Sequence, residues 1–210
     1  MRFVSTYLKQ VQEAIQAMSA RPIEQVVQTL LEAGRQGRTV FLCGNGGSAA
    51  TASHMACDLA KGTISPGQYR FRVVSLNDNI PLMTAWGNDT DFSNIFAEQL
   101  KSLVSEGDVL MAISTSGNSP NVLKAVQVAQ EAGATSIAMT NEVGGQLRDM
   151  ADICLNVPCT IIEQVEDIHM VLAHCIISAV RDGLRRSLLA VSTGAQESAA
   201  EMVTELATAD

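Results

Sequence analysis

Two stretches of this chain combine residue types and spacing that suit chemistry. The first is residues 38–62, R-T-V-F-L-C-G-N-G-G-S-A-A-T-A-S-H-M-A-C-D-L-A-K-G. Gly44, Asn45, Gly46 and Gly47 interrupt an apolar run and Ser48 follows them, a pattern expected to cap a helix over Ala49–Lys61. Glycines let a ligand approach the backbone, and the unpaired N–H groups and dipole of a helix start favour an anion. His54 and Asp58 then stand four residues apart on one helix face. That spacing suits two metal ligands or an acid–base pair, although taken alone such a pair is more often surface decoration. The second stretch is I-S-T-S-G-N-S-P-N, residues 113–121. Ser114, Thr115, Ser116 and Ser119 place four hydroxyls around one turn with Gly117 inside it. Ser119 is positioned to cap a helix beginning at Pro120. Hydroxyls and free N–H groups converging on a helix start form a phosphate cradle without lysine. A serine-rich turn with a cap has comparable weight for this stretch alone; the same design after an earlier strand favours the cradle.

These stretches need a scaffold, and the hydrophobic pattern supplies one. Val4, Leu8, Val11 and Ile15, then Ile23, Val26, Val27, Leu30 and Leu31, recur at helical spacing and predict two helices within residues 3–36. Pro22 suits the first turn of the second helix and Gly34 its end. Short apolar runs predict strands at 40–43, 71–76, 108–114, 135–140 and 153–157. Helical patterns lie between them at 47–61, 79–86, 91–104, 119–132 and 145–150. The alternation implies an α/β fold, a five-stranded parallel sheet flanked by helices, with ligands beyond the carboxyl ends of its strands. Residues 160–188 predict one long helix whose wide apolar face, including Ile161, Val165, Ile168 and Leu172, suits packing against a helix or another subunit. Residues 1–188 read as a single domain, and 189–210 as a loosely attached tail.

Composition narrows the class. The 210 residues are 47% hydrophobic and 17% charged, with a formal net charge of −8. That balance argues against broad nucleic-acid binding. No apolar run approaches the roughly 18 residues of a membrane span, and the first ten residues lack a signal-peptide core. Five cysteines without paired C-x-x-C spacing fit a reducing cytoplasm.

With C-G-N-G-G-S-A-A, A-W-G-N-D and I-S-T-S-G-N-S-P-N-V in place, the sequence resembles the sugar isomerase (SIS) fold. More narrowly it resembles the phosphoheptose isomerases, which interconvert sedoheptulose 7-phosphate and D-glycero-D-manno-heptose 7-phosphate. The resemblance runs from about residue 5 to 185. It implies that Asn45, Gly46 and Gly47, with Ser48 beside them, form the first sugar-phosphate loop. It implies that Asn88 and Asp89 contact substrate, and that Ser114, Thr115, Ser116 and Ser119 hold the phosphate. The family's metal site takes His and Glu from the first helix of the sheet domain and Gln and His from the last. The matching residues here are His54, Asp58, Glu166 and His174. The implied cofactor is a divalent metal, zinc first. Asp58 is implied as base and ligand, His174 as acid or base, and Glu166 as a substrate contact as well as a ligand. The resemblance also implies a cytoplasmic homotetramer acting on a phosphorylated seven-carbon sugar.

Two departures are visible. Asp58 is one methylene shorter than the family's Glu, and Glu166 adds a negative charge where the family has Gln, which is expected to tighten a divalent ion. Glu166 and His174 are separated by about 12 Å of helix rise, long for one ion unless both lean inward or a neighbouring subunit contributes. His169, three residues after Glu166, competes as a ligand but reads more simply as a helix-interface histidine. Three other readings stay open: an isomerase of another ketose phosphate, a non-enzymatic SIS protein that binds a replication initiator, and a sugar-phosphate sensor. His174 and the carboxylate at Asp58 speak against the non-enzymatic reading, and the lack of a helix-turn-helix segment speaks against the sensor.

Overall fold

Val40 and Leu42 pack into one hydrophobic cluster, Phe41 and Cys43 into another, and all four are buried. The period-two alternation of a strand thus splits its side chains between two layers, and only a sheet covered on both faces buries both sets. The computed structural model describes the backbone of residues 2–207 and the side chains of residues 2–188. Its strands are β1 (Thr39–Gly44), β2 (Arg72–Ser75), β3 (Val109–Ile113), β4 (Thr135–Thr140) and β5 (Ile153–Asn156). They form one parallel sheet in the order β2-β1-β3-β4-β5. This is the predicted α/β architecture.

Helices α1 (Arg2–Ala17), α2 (Ala20–Arg35), α3 (Gly47–Cys57) and α8 (Ile162–Ala207) contribute to the cluster on one face. Helices α5 (Ala97–Lys101), α6 (Pro120–Glu131) and α7 (Leu147–Met150) cover the other, and α4 (Ile80–Asp89) packs at its margin through Met83 and Trp86. The chain leaves β1 for one face through α3 and leaves β3 for the opposite face through α6. A crevice therefore opens between the carboxyl ends of these neighbouring strands, at the reversal in strand order.

Several boundaries differ from the sequence expectations, each for a local reason. Gly46, with φ 55°, is the N-cap of α3, so Ser48 lies within the first turn, buried, and caps nothing. Gly34 lies inside α2. That helix runs to Arg35, and Gly37, with φ 68°, turns the chain out of it. A Cβ on Gly34 would strike the Tyr69 and Phe71 rings, so packing rather than helix termination requires the glycine there. The helix expected over 91–104 is a 3₁₀ turn at Phe92–Asn94 followed by α5. The Asp91 carboxylate accepts the Ser93 N–H and starts a separate turn. Helix α4 continues past residue 86 to Asp89. Helix α3 stops at Cys57 and continues as a π-helical turn, Asp58–Gly62. Helix α8 carries its backbone through most of the segment read as a tail; the side chains of 189–210 lie outside the described residues.

Candidate active site

The crevice holds an open cleft of about 410 Å³. Its lining brings together Asn45, Ser48, Ser114, Thr115, Ser116, Ser119 and Glu166. Residues from three separated stretches of the sequence therefore share one wall. Ser119 is the N-cap of α6, but its hydroxyl makes no capping bond. It lies 3.1 Å from the Ser114 hydroxyl and faces the cleft with it. At the start of α3, the N–H groups of Ala49 and Ala50 turn back onto the Asn45 and Gly46 carbonyls. Donors before them belong to the unpaired set of a helix start. The cleft lining contains no lysine or arginine. The groups it offers an anion are hydroxyls, peptide N–H groups and two helix starts.

Glycine chemistry holds the hydroxyl loop in place. Gly117 has φ 65°, and a Cβ there would overlap the Gly144 carbonyl. The loop is braced from beneath, since Asn141 N–H donates to the Thr115 carbonyl at 3.0 Å and Leu147 N–H to the Gly117 carbonyl at 3.0 Å. Asn118 adds another tie, accepting the Gln146 N–H and donating to the Ser116 carbonyl. Asn77 brackets the last residue of β1, accepting the Gly44 N–H and donating 2.7 Å to its carbonyl. Cys43, just before Gly44, is fully buried; desolvation pushes its thiol up to about 12, as fits a packing residue.

A second group lies further along α3 and α8. The nearest nitrogens of His54 and His174 are 2.9 Å apart. The Asp58 carboxylate is 3.4 Å from His54 Nε2 and 3.9 Å from His174 Nε2. All three donor atoms fall within 4.8 Å of one another. Both histidines are exposed and Asp58 is half-buried. Two imidazole nitrogens this close, with an anion beside them, cannot all present lone pairs to one another. A shared proton or a cation between them resolves the conflict.

The remaining predicted residues fall elsewhere. Glu166 stands in the cleft, its carboxylate against the Cα of Gly47, and is not one of the three clustered donors. Asn88 and Asp89 are exposed at the end of α4, hydrogen-bonded to each other at 2.8 Å, and do not line the cleft. His169 is buried in the core, with one ring nitrogen 3.3 Å from the Thr140 carbonyl and Nδ1 without a partner. Burial holds its pKa down to about 4, against a smaller opposing effect of that carbonyl. Asn141, Thr160 and Asn121 escaped the sequence reading. The first two line the cleft and the third ties its loops. Asn141 could have been found from its position just after β4, where ligands of parallel sheets gather.

The SIS domain family model matches residues 5–141. The phosphoheptose isomerase of Rhodospirillum rubrum is 41% identical over 150 residues, covering 71% of this chain and 79% of that protein. That of Mycobacterium tuberculosis is 42% identical over 155 residues, covering 74% of this chain and 79% of the relative. The solved phosphoheptose isomerase of Neisseria gonorrhoeae superposes with a TM-score of 0.78 at 32% identity, over 86% of this chain and 96% of its own. The Francisella tularensis enzyme gives 0.79 at 30% identity, over 86% and 95%. Identity at this level across most of both chains, on a shared fold, places the chain among the phosphoheptose isomerases of the SIS family, which are isomerase enzymes.

Proposed function

We propose that this enzyme converts D-sedoheptulose 7-phosphate to D-glycero-D-manno-heptose 7-phosphate by moving a proton between C1 and C2. One observation supports this reading most strongly. Helices α3 and α8 each carry a residue of the anion cleft (Ser48 and Glu166) and a residue of the histidine–carboxylate cluster (His54 and His174). Six positions of α3 separate Ser48 from His54, about 9 Å of rise. A phosphate held in the cleft can therefore place the far end of an extended seven-carbon chain at the cluster.

The roles follow from what the residues can do. Ser114, Thr115, Ser116 and Ser119 donate hydrogen bonds to the phosphate, away from the reacting carbons, and their binding energy orients the chain. Asp58 accepts the proton from the substrate carbon in the aldose–ketose exchange and returns it to the neighbouring carbon, passing through an enediol. His174, beside it, moves the proton between the two sugar oxygens. The donor chemistry at His54, Asp58 and His174, two imidazoles and a carboxylate, fits a divalent ion, zinc first. When bound there, such an ion would polarise the sugar oxygens as a Lewis acid.

The test is turnover of sedoheptulose 7-phosphate before and after chelation, with metal measured in protein purified without added ions. The expected result is stoichiometric metal, loss of activity on chelation, and loss of metal in both His54→Ala and His174→Ala. Full activity of metal-free protein would overturn the role of the ion. Faster turnover of a different ketose phosphate would move the assignment to that sugar.

A further inference from the structure

We propose that Asn121 is a positioning residue that couples the two anion-binding loops through Asn45, an inference that rests on the sugar-phosphate reading above. Asn121 Nδ2 donates to Asn45 Oδ1 at 2.8 Å, and Asn45 Nδ2 donates to Asn121 Oδ1 at 2.9 Å. The two side-chain amides form a closed, reciprocal pair. Asn121 is only 2% exposed, and its Oδ1 also accepts the Val122 N–H at 3.0 Å. Turning one amide alone would set oxygen against oxygen and nitrogen against nitrogen, so the pair fixes both rotamers at once.

The location gives the pair its consequence. Asn45 begins the loop after β1, and Asn121 lies in the first turn of α6, after β3. Helices α3 and α6 run from these loops to opposite faces of the sheet, into separate hydrophobic clusters. The pair bridges the crevice where the chain diverges. Asn45 lines the cleft, and its carbonyl receives the first backbone bond of α3. One N–H and one lone pair of its amide are held by Asn121, so the pair fixes Asn45 and with it sets the Gly46–Gly47 N–H groups opposite the Ser114–Ser119 hydroxyls. Asn121 touches neither phosphate nor sugar; it acts through Asn45.

A double-mutant cycle on ligand affinity tests this, because residues acting as one unit are non-additive. Binding of sedoheptulose 7-phosphate to the full chain is measured by calorimetry for wild type, Asn45→Ala, Asn121→Ala and the double variant, with thermal unfolding as a control for folding. Each single variant is expected to raise Kd roughly 10- to 100-fold, and the double variant to be no weaker than the worse single. KM should rise by a similar factor while kcat changes less. Asn121→Asp, nearly isosteric, keeps one bond of the pair and loses the other. It serves as the second variant if Asn121→Ala does not fold, and is expected to weaken binding likewise. Unchanged affinity in the folded Asn121 variant, or single effects that multiply in the double variant, would overturn the coupling while leaving the sugar-phosphate reading intact. Absence of binding by folded wild type would instead overturn both.

Discussion

Ser119 occupies the N-cap of α6 without spending its hydroxyl on the helix, and Ser116 is exposed at the mouth of the same turn. Ser119 Oγ is within hydrogen-bond reach of Ser114 Oγ at 3.1 Å and Ser116 Oγ accepts the Asn118 N–H at 3.3 Å, and each hydroxyl keeps capacity for a further bond to a phosphate. Ser116→Ala and Ser119→Ala should therefore each weaken sugar-phosphate binding by about 1–3 kcal/mol, the range for a hydrogen bond to a charged group. Calorimetry checks this, and melting temperatures should stay near wild type because no capping bond is lost at Ser119. His169 makes the opposite kind of contribution. With its folded pKa at about 4 against an ordinary 6.5, the unfolded chain binds its proton between these values and the native chain does not. Stability from this residue is present above about pH 6.5 and is lost as pH falls towards 4. The stability difference between wild type and His169→Gln should shrink by about 3 kcal/mol over that interval, measured by urea unfolding at each pH. Much of the site was legible at this scale because its groups cluster along the chain: the four hydroxyls span six residues, and His54 and Asp58 share a helix turn. Asn121 was not, because its partner is 76 positions away and nothing local marks the pairing. Glu166 is implied by resemblance as both ligand and substrate contact, and its place in the cleft wall, against Gly47, is set by the neighbouring helices α3 and α8 rather than by any local pattern.

Among the elements, α2 shows how packing overrides helix propensity. Alanine is normally better than glycine inside a helix by about 1 kcal/mol. At Gly34 the added methyl would sit 2.7 Å from Phe71 Cε1 and closer still to the Tyr69 ring. Tyr69 is itself fixed by a 2.8 Å bond to the Leu31 carbonyl, so its ring cannot simply swing away. Gly34→Ala should destabilise the fold by about 1–3 kcal/mol despite its propensity, as a shift in the thermal or denaturant midpoint. The positions of the five strands and their parallel direction followed from apolar runs alternating with helical patterns. The π-helical turn at Asp58–Gly62 did not, because its sequence, D-L-A-K-G, continues an α-helical pattern and nothing local marks the wider turn. Asp58 sits where the two helical geometries meet, still within reach of His54.

For the molecule as a whole, the first N-terminal helix poses a question of solubility. Helix α1 buries only Ala14 and leaves Phe3, Val4 and Leu8 between 62% and 79% exposed. It is tied to α8 by polar bonds, Tyr7 to Asp167 at 2.5 Å and Gln164 to Gln10 at 2.9 Å. These bonds orient its apolar side outward. On α8, Val171 and Ile162 add further exposed apolar surface. Such surface is expected to be covered by copies of the same chain. We expect a homotetramer by light scattering at micromolar concentration, and a monomeric mass would refute it. Among the described residues no helix is long and apolar enough to cross a membrane.

The lack of lysine and arginine in the cleft lining has a consequence for kinetics. The chain carries a formal charge of −8, and a phosphorylated sugar approaches it as an anion. At long range the molecule repels its own substrate, and attraction begins only where hydroxyls and peptide dipoles act over a few ångströms. Ions that screen the field should therefore help the encounter. Association measured by stopped flow is expected to quicken as neutral salt is raised from about 10 to 150 mM, as the Debye length falls from about 30 to 8 Å. Dissociation, governed by short directional bonds inside the cleft, should hardly change. A basic phosphate pocket would give the reverse trend.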